Sequence, residues 1–134
     1  YDISARENSL VVGTSNKSEL LLGYGTIFGD LACAINPIGD IYKSDLFELA
    51  KYLGVNDSIL KKAPSADFYE GQSDEADLGY SYSKIDSLLK KMIDENRNKD
   101  ELLAFGFEDE FIETIKKRVK INEFKRRLPI VAKI

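Results

Sequence analysis

The sequence predicts an α/β fold, a parallel sheet covered by helices. Two observations predict it: a short apolar run that empties into a glycine turn, and a train of helical patterns that follows. Leu10, Val11 and Val12 form a partly β-branched stretch of the kind that fills a buried parallel strand, and Gly13 with Thr14 ends it in a tight polar turn. In an open α/β sheet, ligands sit at that strand edge.

Taken in order, residues 1–8 carry the helix-compatible Ala5, Arg6 and Glu7 and read as the tail of a helix broken by Asn8 and Ser9. The strand at 10–12 follows, as a segment buried on both faces. After the turn, Lys17, Ser18 and Glu19 open a short helix that packs Leu20, Leu21 and Leu22 and stops at Gly23. Gly25, Gly29 and Asp30 keep the next stretch irregular. Residues 31–38 are apolar but interrupted by Asn36 and Pro37, which predicts a short strand or extended loop. Residues 45–53 place Leu46, Leu49, Ala50 and Leu53 at i, i+3, i+4 and i+7. That is an amphipathic helix with Ser44 as its cap, Gly54 past its end and a stripe facing the core.

Residues 56–62 add one helical turn. Residues 64–80 are polar and punctuated by glycine, too long for a routine connector, and are expected to be a mobile loop beside a ligand. Ser83 with Asp86 resembles a capping box, and Ile85, Leu88, Leu89 and Met92 give the next helix its apolar face, ending near Asn96. A short helix at 101–105 stops at Gly106. Residues 108–127 form the longest periodic segment, with Phe111, Ile115, Val119 and Asn122 on one stripe, acidic residues at its start and basic ones toward its end, closed by Pro129.

The chain has 134 residues, 43% hydrophobic and 31% charged, which fits a single domain over 1–134. No apolar run approaches the roughly 18 residues of a membrane span, and the first residues lack a signal-peptide layout, so a cytoplasmic protein without membrane partners is expected. Cys33 is the only cysteine, so an intrachain disulfide and a cysteine-rich zinc site are excluded. The complete lack of histidine excludes a Ser-His-Asp triad, a Cys-His pair and a His-ligated metal within this chain. Any metal must then be held by oxygen, which favours Mg²⁺. A net charge of −4 argues against a nucleic-acid partner, and the basic residues from Lys116 to Arg127 read as a solvated helix end. The opening residue is Tyr1 and the first strand lacks a partner on its N-terminal side, so the chain reads as the latter part of a larger protein.

The turn itself admits two readings. It is a strand, a turn and a helix start in which Ser18 caps and Glu19 favours the positive helix end, or it is a ligand site in which Glu19 holds a metal. The whole string decides the expectation. G-T-S-N-K-S-E at 13–19 followed by G-Y-G-T-I-F-G-D at 23–30, P-S-A-D at 64–67 with G-Q-S-D-E-A-D-L-G at 71–79, and E-F-K-R-R-L-P at 123–129 together resemble the ammonia-dependent NAD synthetases. The resemblance implies a Rossmann-like adenine-nucleotide alpha-hydrolase fold of the N-type ATP pyrophosphatase group. It also implies ATP-dependent amidation of deamido-NAD by ammonia through an acyl-adenylate. By the same resemblance Thr14, Lys43 and Ser65 contact ATP, Glu19 holds Mg²⁺, and Asp30 and Lys125 bind deamido-NAD, with Lys43 the catalytic cation that meets the phosphates. Family members are homodimers, so a homodimer is expected.

Two positions depart from the family pattern: Ile27 stands where lysine is common, and Phe124 where histidine is common. The family's S-G-G-x-D-S phosphate loop is absent, so the 134 residues alone are expected not to turn over. Two competing readings are a related amidating ATP pyrophosphatase, such as a GMP synthetase relative, and a non-catalytic dimerisation or interaction module.

Overall fold

A computed structural model describes residues 1–65, 69–127 and 131–132. Ala66 and Asp67 of the 64–67 motif and the helix-closing Pro129 lie outside the described residues. The chain divides into two compact units, one made of Tyr1–Ile41 with Asp109–Ile134 and the other of Tyr42–Glu108.

The first unit holds helix α1 (Asp2–Arg6), helix α2 (Lys17–Leu22), helix α8 (Asp109–Ile121) and a 3₁₀ turn at Glu123–Arg126. The expected strand at 10–12 is reduced to one parallel bridge between Val12 and Ile35. Val11 O accepts the Ala34 and Ile35 N–H groups and Ile35 O accepts the Gly13 N–H at 2.7 Å, so a parallel pairing exists but spans a single register position. Leu10 and Val12 are 68% and 60% exposed, contrary to the expectation of a strand buried on both faces. Among the described residues this bridge is the one β-pairing, and side chains on a strand stay open where no packed layer covers its faces. The described residues are therefore mostly helical. The parallel element of the α/β prediction is present only as this bridge.

Helix α2 forms where expected and ends where expected, at Gly23 with φ +65°. Its cap is Asn16, not Ser18. Asn16 Oδ1 accepts the Glu19 N–H and Glu19 Oε2 accepts the Asn16 N–H, each at 3.0 Å, so a capping box starts two residues before the serine. Ser18 is instead fully buried. Helix α2 lies against α8 and the 3₁₀ turn, and Leu22, Phe111, Ile112 and Ile115 form the buried apolar set of this unit. Each such side chain contributes about 1.5–3 kcal/mol relative to an exposed position. Val119 and Asn122, placed on the same stripe by the sequence, are half-buried.

The second unit carries helices α3 (Lys43–Tyr52), α4 (Asp57–Leu60), α5 (Asp74–Leu78), α6 (Tyr82–Leu89) and α7 (Lys99–Ala104), with a π-helical turn at Lys90–Asp94 that continues α6. Its core is Tyr42, Leu78, Tyr82, Ile85, Leu88, Leu89 and Leu102, and α3 packs on α6 and on α4.

Three expectations are corrected here. Helix α3 starts two residues early, so Ser44 lies inside it and caps nothing; Tyr42 occupies the cap position without a side-chain hydrogen bond. Its stripe is not core either: Leu46, Leu49 and Ala50 are half-buried and Leu53 is exposed. Finally, α6 is capped by Ser81, whose hydroxyl accepts the Lys84 N–H, and not by Ser83 with Asp86. The stretch read as loop also contains a helical turn, α5, whose Asp74 and Leu78 are buried and which Gly79 ends at φ +79°. Five residues are too short for helical periodicity to register in a sequence.

Candidate functional site

The six residues singled out by the sequence fall four in the first unit and two in the second. In the first, the glycine turn is sterically enforced. A Cβ at Gly13 would run into the Cys33 Sγ, so the close passage of the turn over Cys33 requires glycine. Thr14 is exposed at its crest while Ser15 and Asn16 are buried beneath it. Lys17 N–H donates to Ile41 O at 2.9 Å, and its ammonium pairs with Asp40 at 3.0 Å, which fixes the start of α2 to the segment ahead of α3.

Glu19 is half-buried, and one of its oxygens completes the capping box. The reading in which Glu19 serves the helix end is thus met through Oε2. Among the described residues no group of three or more carboxylate or cysteine side chains converges as a metal cage. Mg²⁺ does not need one, because it takes one or two carboxylates and fills its octahedron with phosphate and water oxygens.

Asp30 and Lys125 meet on one turn. Asp30 Oδ1 accepts the Thr26 N–H at 2.8 Å, and a Cβ on Gly25 would sit 2.6 Å from Asp30 Oδ2. The Lys125 ammonium donates to Gly23 O at 2.7 Å and to Gly25 O at 2.8 Å. Its neighbours extend this clamp. Asn122 Nδ2 donates to Leu22 O at 3.0 Å, and Arg126 Nη1 donates to Leu21 O at 2.8 Å and Leu20 O at 3.2 Å. The last carbonyls of α2 are therefore engaged by side chains from the far end of the chain, Leu20 O sharing its acceptor with the Gly23 N–H. Burial lowers the Arg126 pKa, partly opposed by Glu123. The basic run is thus not simply a solvated helix end, since Lys125 and Arg126 are bonded to backbone. A chain distance of about a hundred residues hides such a clamp from periodicity.

In the second unit, a chain of contacts runs from Lys43 to Pro64, the residue before Ser65. The Lys43 ammonium lies 5.5 Å from the centre of the Tyr82 ring, and Tyr82 OH donates to Asp74 Oδ2 at 3.3 Å. Asp74 N–H in turn donates to Pro64 O, next to Ser65, at 3.0 Å. Glu75 ties the same helix to α6 by accepting the Tyr82 N–H at 2.8 Å. Tyr82 and Lys90 carry no motif, and Asp86 entered the sequence reading only as half of a capping box with Ser83. The trace the three share is a spacing of four on a helical pattern.

Comparison with known proteins follows this geometry. A family model described as NAD synthase matches residues 1–129. The NH(3)-dependent NAD(+) synthetase of Wolinella succinogenes is 54% identical over all 134 residues, which cover 52% of that protein. That of Chlorobaculum tepidum is 52% identical, with 48% of it covered. Among solved structures, NMN synthetase from Francisella tularensis is 34% identical with a TM-score of 0.82, the match covering all of this chain and 51% of the other. An NH3-dependent NAD synthetase from Campylobacter jejuni is 47% identical with a TM-score of 0.75, covering 99% of this chain and 49% of the other. The chain thus spans about half the length of the relatives it matches.

Proposed function

The chain belongs to the NAD synthase family, and from that premise we propose that it supplies half of an enzyme that amidates deamido-NAD with ammonia and ATP. In this reading ATP adenylates the nicotinate carboxylate with release of pyrophosphate, and ammonia displaces AMP from the acyl-adenylate to give NAD. Ammonia attacks as its free base, so the lack of histidine is no obstacle. The observation that carries the reading is the family match over 129 of the 134 residues. The curated relatives quoted above are NH(3)-dependent NAD(+) synthetases by name.

The residues divide the work by chemistry. Lys43 offsets phosphate charge as a compact cation, and Thr14 and Ser65 offer hydroxyls to ATP. Glu19 would hold Mg²⁺ by a carboxylate oxygen; the ion, when bound, neutralises phosphate oxygens. Asp30 accepts hydrogen bonds from the dinucleotide, and Lys125, already on the turn beside it, has a third N–H to offer. The segment 64–80 closes over ATP, the parallel bridge belongs to a Rossmann-like sheet of the whole protein, and the enzyme acts as a cytoplasmic homodimer.

The test uses a chimera in which these 134 residues replace their match in the Wolinella succinogenes relative. The expected result is NAD, AMP and pyrophosphate from deamido-NAD, ATP, Mg²⁺ and ammonia, with no turnover by the 134 residues alone. Nicotinate mononucleotide is offered in parallel, because one structural relative is named an NMN synthetase. Amidation of the mononucleotide alone, or an inactive chimera, would overturn the proposal.

A further inference from the structure

Three side chains four residues apart on one helical run engage four consecutive residues at the start of α3. The Tyr82 ring meets the Lys43 ammonium. Asp86 Oδ2 accepts the Ser44 N–H at 2.8 Å. The Lys90 ammonium pairs with Asp45 Oδ1 at 2.7 Å and lies 5.4 Å from the centre of the Tyr42 ring. The run from α6 into the π-helical turn thus reads residues 43 to 45 in order, and Lys90 also reaches Tyr42.

Asp86 is the centre of this stripe and is only 1% exposed. A carboxylate so deeply buried is costly unless it is hydrogen-bonded. Here it takes one of the N–H groups that α3 cannot satisfy itself, since its cap residue Tyr42 contributes no side-chain bond. Asp86 therefore does for α3 what a cap does, from a position 42 residues further along the chain. The backbone next to Lys43 is fixed to α6, and the lysine ammonium lies over the ring of Tyr82, a residue 3% exposed. A lysine is the side chain with most rotamer freedom to lose, so anchoring its base and stem matters most for it.

We infer that Asp86 is a positioning residue for Lys43: it locks the first turn of α3 so that the ammonium is held on Tyr82 and aimed at the nucleotide phosphates. The inference rests on the reading of Lys43 as the ATP contact, and the two fail separately.

The experiment is a double-mutant cycle in the chimera described above, with KM measured for ATP and for deamido-NAD. Asp86→Ala is expected to raise KM for ATP on the order of tenfold with little change in KM for deamido-NAD. Asp86→Asn, which keeps an oxygen for the Ser44 N–H, restores most of the loss and serves if the alanine variant does not fold. In a Lys43→Ala background, both Asp86 variants should change nothing further, because they act through the lysine. If Lys43→Ala leaves KM for ATP unchanged, the ATP reading of Lys43 is wrong. If Lys43→Ala is damaging but the Asp86 effects add to it in full, or fall equally on both substrates, Asp86 is structural and the inference is overturned.

Discussion

Glu19 condenses the residue scale into one side chain, because its carboxylate completes a capping box and is also the proposed Mg²⁺ ligand. The two roles respond differently to loss of charge. Glu19→Gln keeps an oxygen for the Asn16 N–H, so thermal melting should shift by less than about 1 kcal/mol of stability. In the chimera the same variant should demand a higher Mg²⁺ concentration for half-maximal activity. A large drop in stability with an unchanged Mg²⁺ titration would assign Glu19 to the helix end alone. The sequence could nominate this residue but could not say which oxygen the backbone had already taken. Ile27 stays an open departure at the same scale: it is half-buried, and nothing in the structure explains why it replaces a common lysine.

Helix ends in this chain are closed in two ways. The start of α3 is closed from α6 by Asp86, whereas α2 and α7 each carry a full capping box of their own, Asn16 with Glu19 and Asn98 with Glu101. Glu101 also accepts from Arg97, which bridges to Glu95 at 3.1 Å. Both carboxyls are held below the usual glutamate range, Glu101 chiefly by the Asn98 N–H and Glu95 chiefly by Arg97. A lowered folded-state pKa means that the unfolded chain binds the proton more readily. The stability these groups contribute is present above the ordinary glutamate value and is lost as pH falls through the lower, folded-state values. Melting temperature followed from neutral pH to below the glutamate range should therefore decline, and Glu101→Gln, which keeps the cap acceptor, should flatten the decline. Because the groups are solvated, the change is small and shrinks in added salt. An unchanged slope would remove Glu101 from the account.

At the scale of the whole molecule, the first unit is assembled from the two ends of the chain, Tyr1–Ile41 and Asp109–Ile134. Its α2 carbonyls are closed by Asn122 and Arg126 while Lys125 holds the Gly23 and Gly25 carbonyls just past the helix, and a Cβ on Gly23 would collide with the Asn122 side chain. Removing residues 109–134 strips α2 of these donors, and each orphaned carbonyl costs about 1–3 kcal/mol where it is shielded from water. Amide hydrogen exchange should then report loss of protection across α2, since six residues do not hold as an isolated helix. Full protection of α2 in the shortened chain would show that the clamp is dispensable.

The sequence by itself determined what is local. It placed the glycine turn and its helix, the ends at Gly23, Gly54 and Gly106, the apolar face of α6, and the motifs that carry the family resemblance, because each is written within a few residues by backbone preference or periodicity. Tertiary structure decided what closes those pieces. It reduced the strand to one bridge, moved the caps from Ser18, Ser44 and Ser83 to Asn16, Asp86 and Ser81, and turned Lys125 and Arg126 from a solvated tail into donors to the backbone at the end of α2 and just past it. The physical reason is that helix-end N–H and C=O groups need partners but accept them from any distance along the chain, and no short window of sequence records which distant side chain arrives.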